Sequence, residues 1–305
     1  MGKLFYLYSH EGVLADLWDV DESKARCVYP PFNTVPLKEG ESLLDALGHR
    51  SLGEPGVPVW TKECARKIGE YYRRIYRPSL DDRFPGPPQE MQHVAESLGQ
   101  LATLTEQLAR IFRVIFPADN NLKTYGYEIR NLILLACTEV EAQWKGILKA
   151  NNASPAGPYF NTKDYVKLLK PLKLAEYQVI LPIYPQLPSL SPFAVWNSEK
   201  PSKSLLWYDA YNAVKHDRET QFHQATLKYA IHAVVACAVM LGAQYGLIPA
   251  WHDQLGQFFR FEKRPQWSHQ ERYLPPPIKT IGGWSELPSD RLDFPTEWYP
   301  TGFPF

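Results

Sequence analysis

Thr124–Leu148 reads TYGYEIRNLILLACTEVEAQWKGIL. Ile129, Ile133, Ala136, Val140, Trp144 and Ile147 recur there at helical spacing, which predicts a helix from about Tyr125 to Lys149. Its centre, Leu132–Cys137 (LILLAC), is apolar all round, so contact on more than one side is expected. A helix of this kind needs partner faces, and the flanking sequence offers them.

Upstream, Met91, Val94, Leu98, Leu101, Leu108, Ile111, Phe112 and Ile115 predict a helix over Met91–Phe116, ended by Pro117. Downstream, TKDYVKLLK follows two possible caps, Asn161 or Thr162, and stops near Pro171. SLLWYDAYNAVKH forms a further helical stretch from Ser202 or Ser204. A long helix is expected from about Glu219 to Tyr245, carrying Ala225, Ala230, Ala233, Ala236, Ala238 and Ala243 and closed by Gly246. Such small residues let neighbouring helices approach closely. Trp144, Trp196 and Trp207 are read as core. These elements, without internal repeats, predict a mainly α chain with an antiparallel helical bundle over residues 89–247.

The two ends differ in character. In residues 1–88, an α+β region is expected: Leu4–Tyr8 and Arg26–Tyr29 read as strands, Glu41–Leu47 as a short helix and residues 61–77 as a helix before Pro78. Arg83–Pro88 marks a turn or linker. Residues 248–305 form an extension rich in Pro and aromatic residues, with a strand at Gln257–Glu262. Disordered tails are poor in aromatics, so this one is expected to pack on the body. Tyr177–Ile183 reads as extended.

Composition bounds the function. The 305 residues are 45% hydrophobic and 22% charged, ordinary for a globular chain. Lys+Arg and Asp+Glu both number 33, which argues against a broad phosphate-binding surface while leaving a local basic patch open. The four cysteines, Cys27, Cys64, Cys137 and Cys237, form no CxxC pair, which points to a reduced, cytoplasmic protein without structural zinc. The N-terminus lacks the pattern of a signal peptide, and Tyr6 stands where myristoylation needs Ser or Thr. The longest apolar stretch, Ala230–Leu241, is too short to span a bilayer, so no membrane partner is expected. No P-loop, GxGxxG, HExxH or GxSxG signature occurs, and no cofactor or metal is implied.

Chemistry-bearing residues concentrate in Trp207–Phe222, WYDAYNAVKHDRETQF, where Asn212, Lys215, His216, Asp217 and Arg218 crowd a helix junction. The same residues also suit a solvated junction, with Asp217 as an N-cap and Arg218 paired to it. Glu139 and Glu141 lie on the opposing long helix. Glu139 is a candidate for partial burial beside Lys215, His216 or Arg218, whereas Glu141 suits an exposed pair with Lys145. In the segment Lys62–Arg77, the basic residues Arg66, Lys67, Arg73, Arg74 and Arg77 alternate with Tyr71, Tyr72 and Tyr76. That is a pattern single-stranded RNA binding would use, and equally a solvated helix face.

Tyr211-Asn212-Ala213-Val214-Lys215-His216, the Ala-rich helix after it and Thr124–Leu148 together resemble the HEPN superfamily over roughly residues 91–246. Members of that family are helical bundles with a motif of Arg, four to six residues and His. The resemblance extends to HEPN-like proteins of bacterial defence and mobile elements. It implies a HEPN-like antiparallel helical bundle with short β-containing extensions, a homodimer with facing motifs, and metal-independent endoribonuclease activity of a defence or toxin-type system. The alternative is a non-catalytic module for dimerisation, for RNA, or for a regulatory protein partner. The family's opening Arg is Tyr211 here; Lys215 or Arg218 could replace its charge, and Arg130 on the opposing helix is another place for it. On the cleavage reading, His216 is the general acid or base, because an imidazole titrates near working pH. Asn212 positions it or the phosphate.

Overall fold

In the computed structural model, residues 2–9, 11–48, 60–80, 86–247, 255–277, 288–291 and 293–305 are described. Residues 83–85 of the expected turn and residues 248–254 and 278–287 of the tail lie outside them. The chain is 42% helical and 16% strand and contains a five-stranded antiparallel sheet, so it is mixed α/β. The expectation of a mainly helical bundle with short β-containing extensions is therefore corrected.

Two compact units are present. One comprises Met1–Tyr71, Arg77–Pro88 and Trp267–Pro300, the other Tyr72–Tyr76, Gln89–Gln266 and Thr301–Phe305. Residues 255–266 of the C-terminal extension thus belong with the helices and residues 267–300 with the sheet.

The sheet unit begins with β1 (Lys3–Tyr8), β2 (Leu14–Val20), β3 (Lys24–Cys27) and β4 (Thr34–Pro36), followed by α1 (Leu43–Leu47) and β5 (Trp60–Glu63). The strand order is β4-β3-β2-β1-β5, with the antiparallel register of β1 on β2 pairing Phe5 with Trp18. Two small cores flank it, one around Tyr6, Leu17, Val28 and Ile68, the other around Leu7, Trp18, Ala25 and Cys27. In β2 the sequence LADLWDV hides its strand character because Asp19 breaks the apolar alternation. Asp19 is wholly buried and pairs with Arg26, which also reaches Asp293 at 2.8 Å. A buried carboxylate requires such a partner.

The helix expected over residues 61–77 does not form. That segment contains β5 and β6 (Glu70–Tyr72), and its backbone turns left-handed at Gly69 (φ 77) and Arg74 (φ 57). Gly69 is sterically required: a Cβ there would lie 2.8 Å from the Glu297 carbonyl oxygen.

The helical unit contains α2 (Met91–Val114), α3 (Tyr127–Ala150), α4 (Thr162–Tyr165), β7 (Gln178–Ile180), α5 (Leu206–His216), α6 (Arg218–Gln221), α7 (Leu227–Tyr245), α8 (Leu255–Phe258) and β8 (Arg260–Lys263). α7 packs against α2, α3 and α5, which explains its small residues and burial on every side. It has the length and composition to cross a membrane, yet 83% of its apolar window is buried inside the fold, as in a core helix. Trp144 sits at the centre of the packing, stacked on Trp196 at 4.9 Å and ringed by Tyr165, Phe193, Trp207 and Tyr208. LILLAC is not apolar-packed all round: Leu135 is 45% exposed.

The long helix expected from Glu219 is interrupted after α6. Thr226 is extended and its side chain caps nothing. Instead, the first amides of α7 are satisfied by another part of the backbone, Leu227 N–H donating to Thr124 O at 2.8 Å and Lys228 N–H to Leu122 O at 3.0 Å.

Candidate functional site

α5 carries two polar stripes, each at i, i+3, i+7 spacing. Asp209, Asn212 and His216 line a groove of about 480 Å³. Across it stand Phe160, Asn161, Thr162 and Tyr165 with Ser202 and Lys203, and Glu141 of α3 and Tyr208 of α5 complete the lining. The Asn161 side chain caps α4 by accepting from Lys163 N–H at 2.9 Å, which fixes that wall, and Thr162 and Ser202 share a hydroxyl hydrogen bond of 2.9 Å.

The second stripe, Tyr208, Tyr211 and Lys215, interacts with Glu141. The Tyr208 hydroxyl donates to Glu141 Oε1. Burial, reinforced by Glu141, pushes this phenol well above its ordinary range, so it remains a donor. Lys215 Nζ donates to the Tyr211 hydroxyl at 2.8 Å and lies 4.9 Å from its ring centroid. That hydrogen bond raises the ammonium's pKa, aided by the negative Glu141 nearby, so Lys215 stays charged. Tyr211 itself is 2% exposed.

His216 is exposed at the end of α5, where the groove opens, and Asn212 is half-buried beside it. The two remaining members of the sequence cluster are placed otherwise. Asp217 is the N-cap of α6, accepting from Thr220 N–H at 3.1 Å and from its hydroxyl, and these bonds hold its carboxyl below the usual range. Arg218 is exposed and makes no ion pair with Asp217 among the described residues, so the expected pairing is corrected.

Glu139 is not beside Lys215, His216 or Arg218. Two residues along a helix turn a side chain by roughly 200°, so Glu139 and Glu141 face opposite ways. Glu139 instead accepts from Gln143 at 2.6 Å, Gln143 accepts from Gln244 at 3.2 Å, and Gln244 accepts from Arg74 at 2.8 Å. Arg130 lies three turns before Glu141, roughly 16 Å along the helix axis, and its Nε is buried with no hydrogen bond among the described residues. It does not line the groove.

The five basic residues proposed for RNA share no surface stripe, because the helix that would align them is absent. Arg66 donates to Gln270 O at 3.0 Å and lies over Tyr273, while Arg77 donates to Glu271 O at 3.2 Å and lies over Trp267. Arg73 is near Glu90 at 4.0 Å, Arg74 is engaged with Gln244, and Lys67 is exposed.

The groove therefore brings together His216 and Asn212 and adds Glu141 in place of Glu139, while Lys215, outside the lining, feels the charge of Glu141. Tyr208, Asp209, Ser202 and Lys203 were not singled out from sequence. The i, i+3, i+7 spacing of Asp209, Asn212 and His216 was the signal that marks the groove face. Comparison with family models, curated proteins and solved structures returns no match for this chain.

Proposed function

We propose that the groove binds RNA and cleaves it without a metal ion, with His216 as a proton-transfer group and Asn212 as a positioning group. The observation that carries this reading is the polar stripe Asp209–Asn212–His216 opening into a concave site that also holds a carboxylate and Lys203. Cleavage by attack of a ribose 2′-hydroxyl on the adjacent phosphate needs proton transfer and a cation. Lys203 of the groove lining, with Lys215 near Glu141, supplies positive charge in place of the motif Arg. The HEPN resemblance of Tyr211–His216 contributes the substrate class. The four cysteines are free and buried, which supports a reducing, cytoplasmic setting.

A second reading, a non-catalytic RNA- or partner-binding module, is favoured by one observation: the motif Arg is replaced by a buried tyrosine. The two separate cleanly. Purified protein is incubated with a mixed RNA pool in EDTA, wild type beside His216→Ala. Metal-independent cleavage that falls by about 100-fold or more in the variant is expected. Equal cutting by both proteins, or none by either, overturns the cleavage reading.

A further inference from the structure

We infer that Glu141 is the second catalytic residue of this groove, the general base to the general acid His216, and that Tyr208 is its positioning residue. This inference rests on the cleavage reading above.

A carboxylate at the wall of a groove can serve as a base only if its orientation is fixed and one oxygen is open. Both conditions hold. Oε1 accepts from the Tyr208 hydroxyl, and Tyr208 is itself 3% exposed and packed on Trp144 at 5.5 Å. Among the described residues no hydrogen bond reaches Oε2. Glu141 comes from the middle of α3 and His216 from the end of α5, two elements packed on each other, so the pair is carried by rigid helices. The charged and titratable groups around Glu141 are Tyr165, Lys203, Tyr208, Asp209 and His216 in the groove lining, Lys215 of α5, and Cys137 and Lys145 one turn away on its own helix.

The step balances with these groups alone. Glu141 takes the proton of the ribose 2′-hydroxyl as O2′ bonds to phosphorus. The P–O5′ bond breaks, and the imidazolium of His216 gives its proton to O5′. The products are a 2′,3′-cyclic phosphate and a 5′-hydroxyl. Glu141 is left protonated and His216 neutral, and exchange with solvent restores both.

The test uses the full chain and a single-stranded oligoribonucleotide carrying a fluorophore and quencher, in EDTA, with kcat and KM measured across pH. Wild type is expected to show a bell, rising as the carboxylate deprotonates and falling as the imidazolium does. Glu141→Gln, which still accepts from Tyr208, is expected to lose about 100-fold or more in kcat with KM little changed, and to lose the acidic limb. Tyr208→Phe is expected to show a smaller kcat loss with the limb retained but displaced. Thermal melts of each variant separate a folding defect from a catalytic one, and a folded Glu141→Asp with partial activity guards against failure of the Gln variant. If His216→Ala abolishes cleavage while Glu141→Gln keeps the wild-type rate and bell, the assignment of Glu141 is overturned and the cleavage reading stands. If wild type does not cleave, both fall.

Discussion

Tyr211 shows how one side chain can change the chemistry of a site without entering it. Its hydroxyl accepts from Lys215, one turn further along α5, and its ring lies under the same ammonium, which is near Glu141. The i to i+4 spacing of Tyr211 and Lys215 makes their contact local to α5, but which face of α5 meets Glu141 depends on its rotation against α3. Glu141 was obscured for the same reason: an i to i+4 Lys145 explains it locally, and only packing brings Tyr208 to it. Trp144 is the residue on which this arrangement leans, with no solvent exposure and aromatic rings on several sides. Its truncation to Ala is expected to cost about 3–5 kcal/mol in urea unfolding. A loss below about 1 kcal/mol would show that the aromatic cluster does not set the α3–α5 geometry.

Helices were legible where apolar periodicity was long and sustained, as over Met91–Val114 and Tyr127–Ala150. Strands were legible where β-branched or aromatic residues ran together, as in Leu4–Tyr8. The failures have specific causes. β2 was hidden by two aspartates, one of them buried and neutralised by Arg26 across the sheet. Residues 61–77 have the composition of a helix face, but Gly69 and Arg74 adopt left-handed backbone that a helix cannot contain. The conformation at Gly69 is testable: Gly69→Ala would strain the left-handed backbone and drive a methyl into the Glu297 carbonyl. A loss of roughly 1–3 kcal/mol is expected from thermal unfolding monitored by near-ultraviolet dichroism. An unchanged melting temperature would mean that the turn relaxes at no cost.

At the scale of the whole molecule, acid reaches the fold through a buried histidine. In the helical unit, burial, with help from Lys228, lowers the pKa of His232 from 6.5 to about 4. Above pH 6.5 the folded and unfolded forms are both neutral at this residue, and the stability it permits is fully present. Below that, the unfolded chain takes up a proton that the folded chain resists, so stability falls as pH drops from 6.5 to about 4. The total is on the order of 3 kcal/mol. His232→Gln is expected to flatten the urea-midpoint profile over that window, and an unaltered slope would assign the acid sensitivity elsewhere. Composition placed the chain among ordinary globular proteins, but it could not divide the chain into these units. Each is assembled from segments distant in sequence, such as Ile68 bridged to Leu274 and Asn151 bonded to Phe303 N–H.

The start of α7 carries a consequence for how the chain tolerates change. Its opening amides are closed by the carbonyls of Leu122 and Thr124, not by the side chain of Thr226. Substitutions at residue 226 that keep its backbone N–H are therefore expected to leave the junction intact, because its side chain caps nothing there. Insertions or deletions between Leu122 and Tyr127 are a different matter. A shift of one residue would slide the accepting carbonyls out of register with α7 and rotate the entry into α3 by roughly 100°. That short segment permits spelling changes but not changes of length.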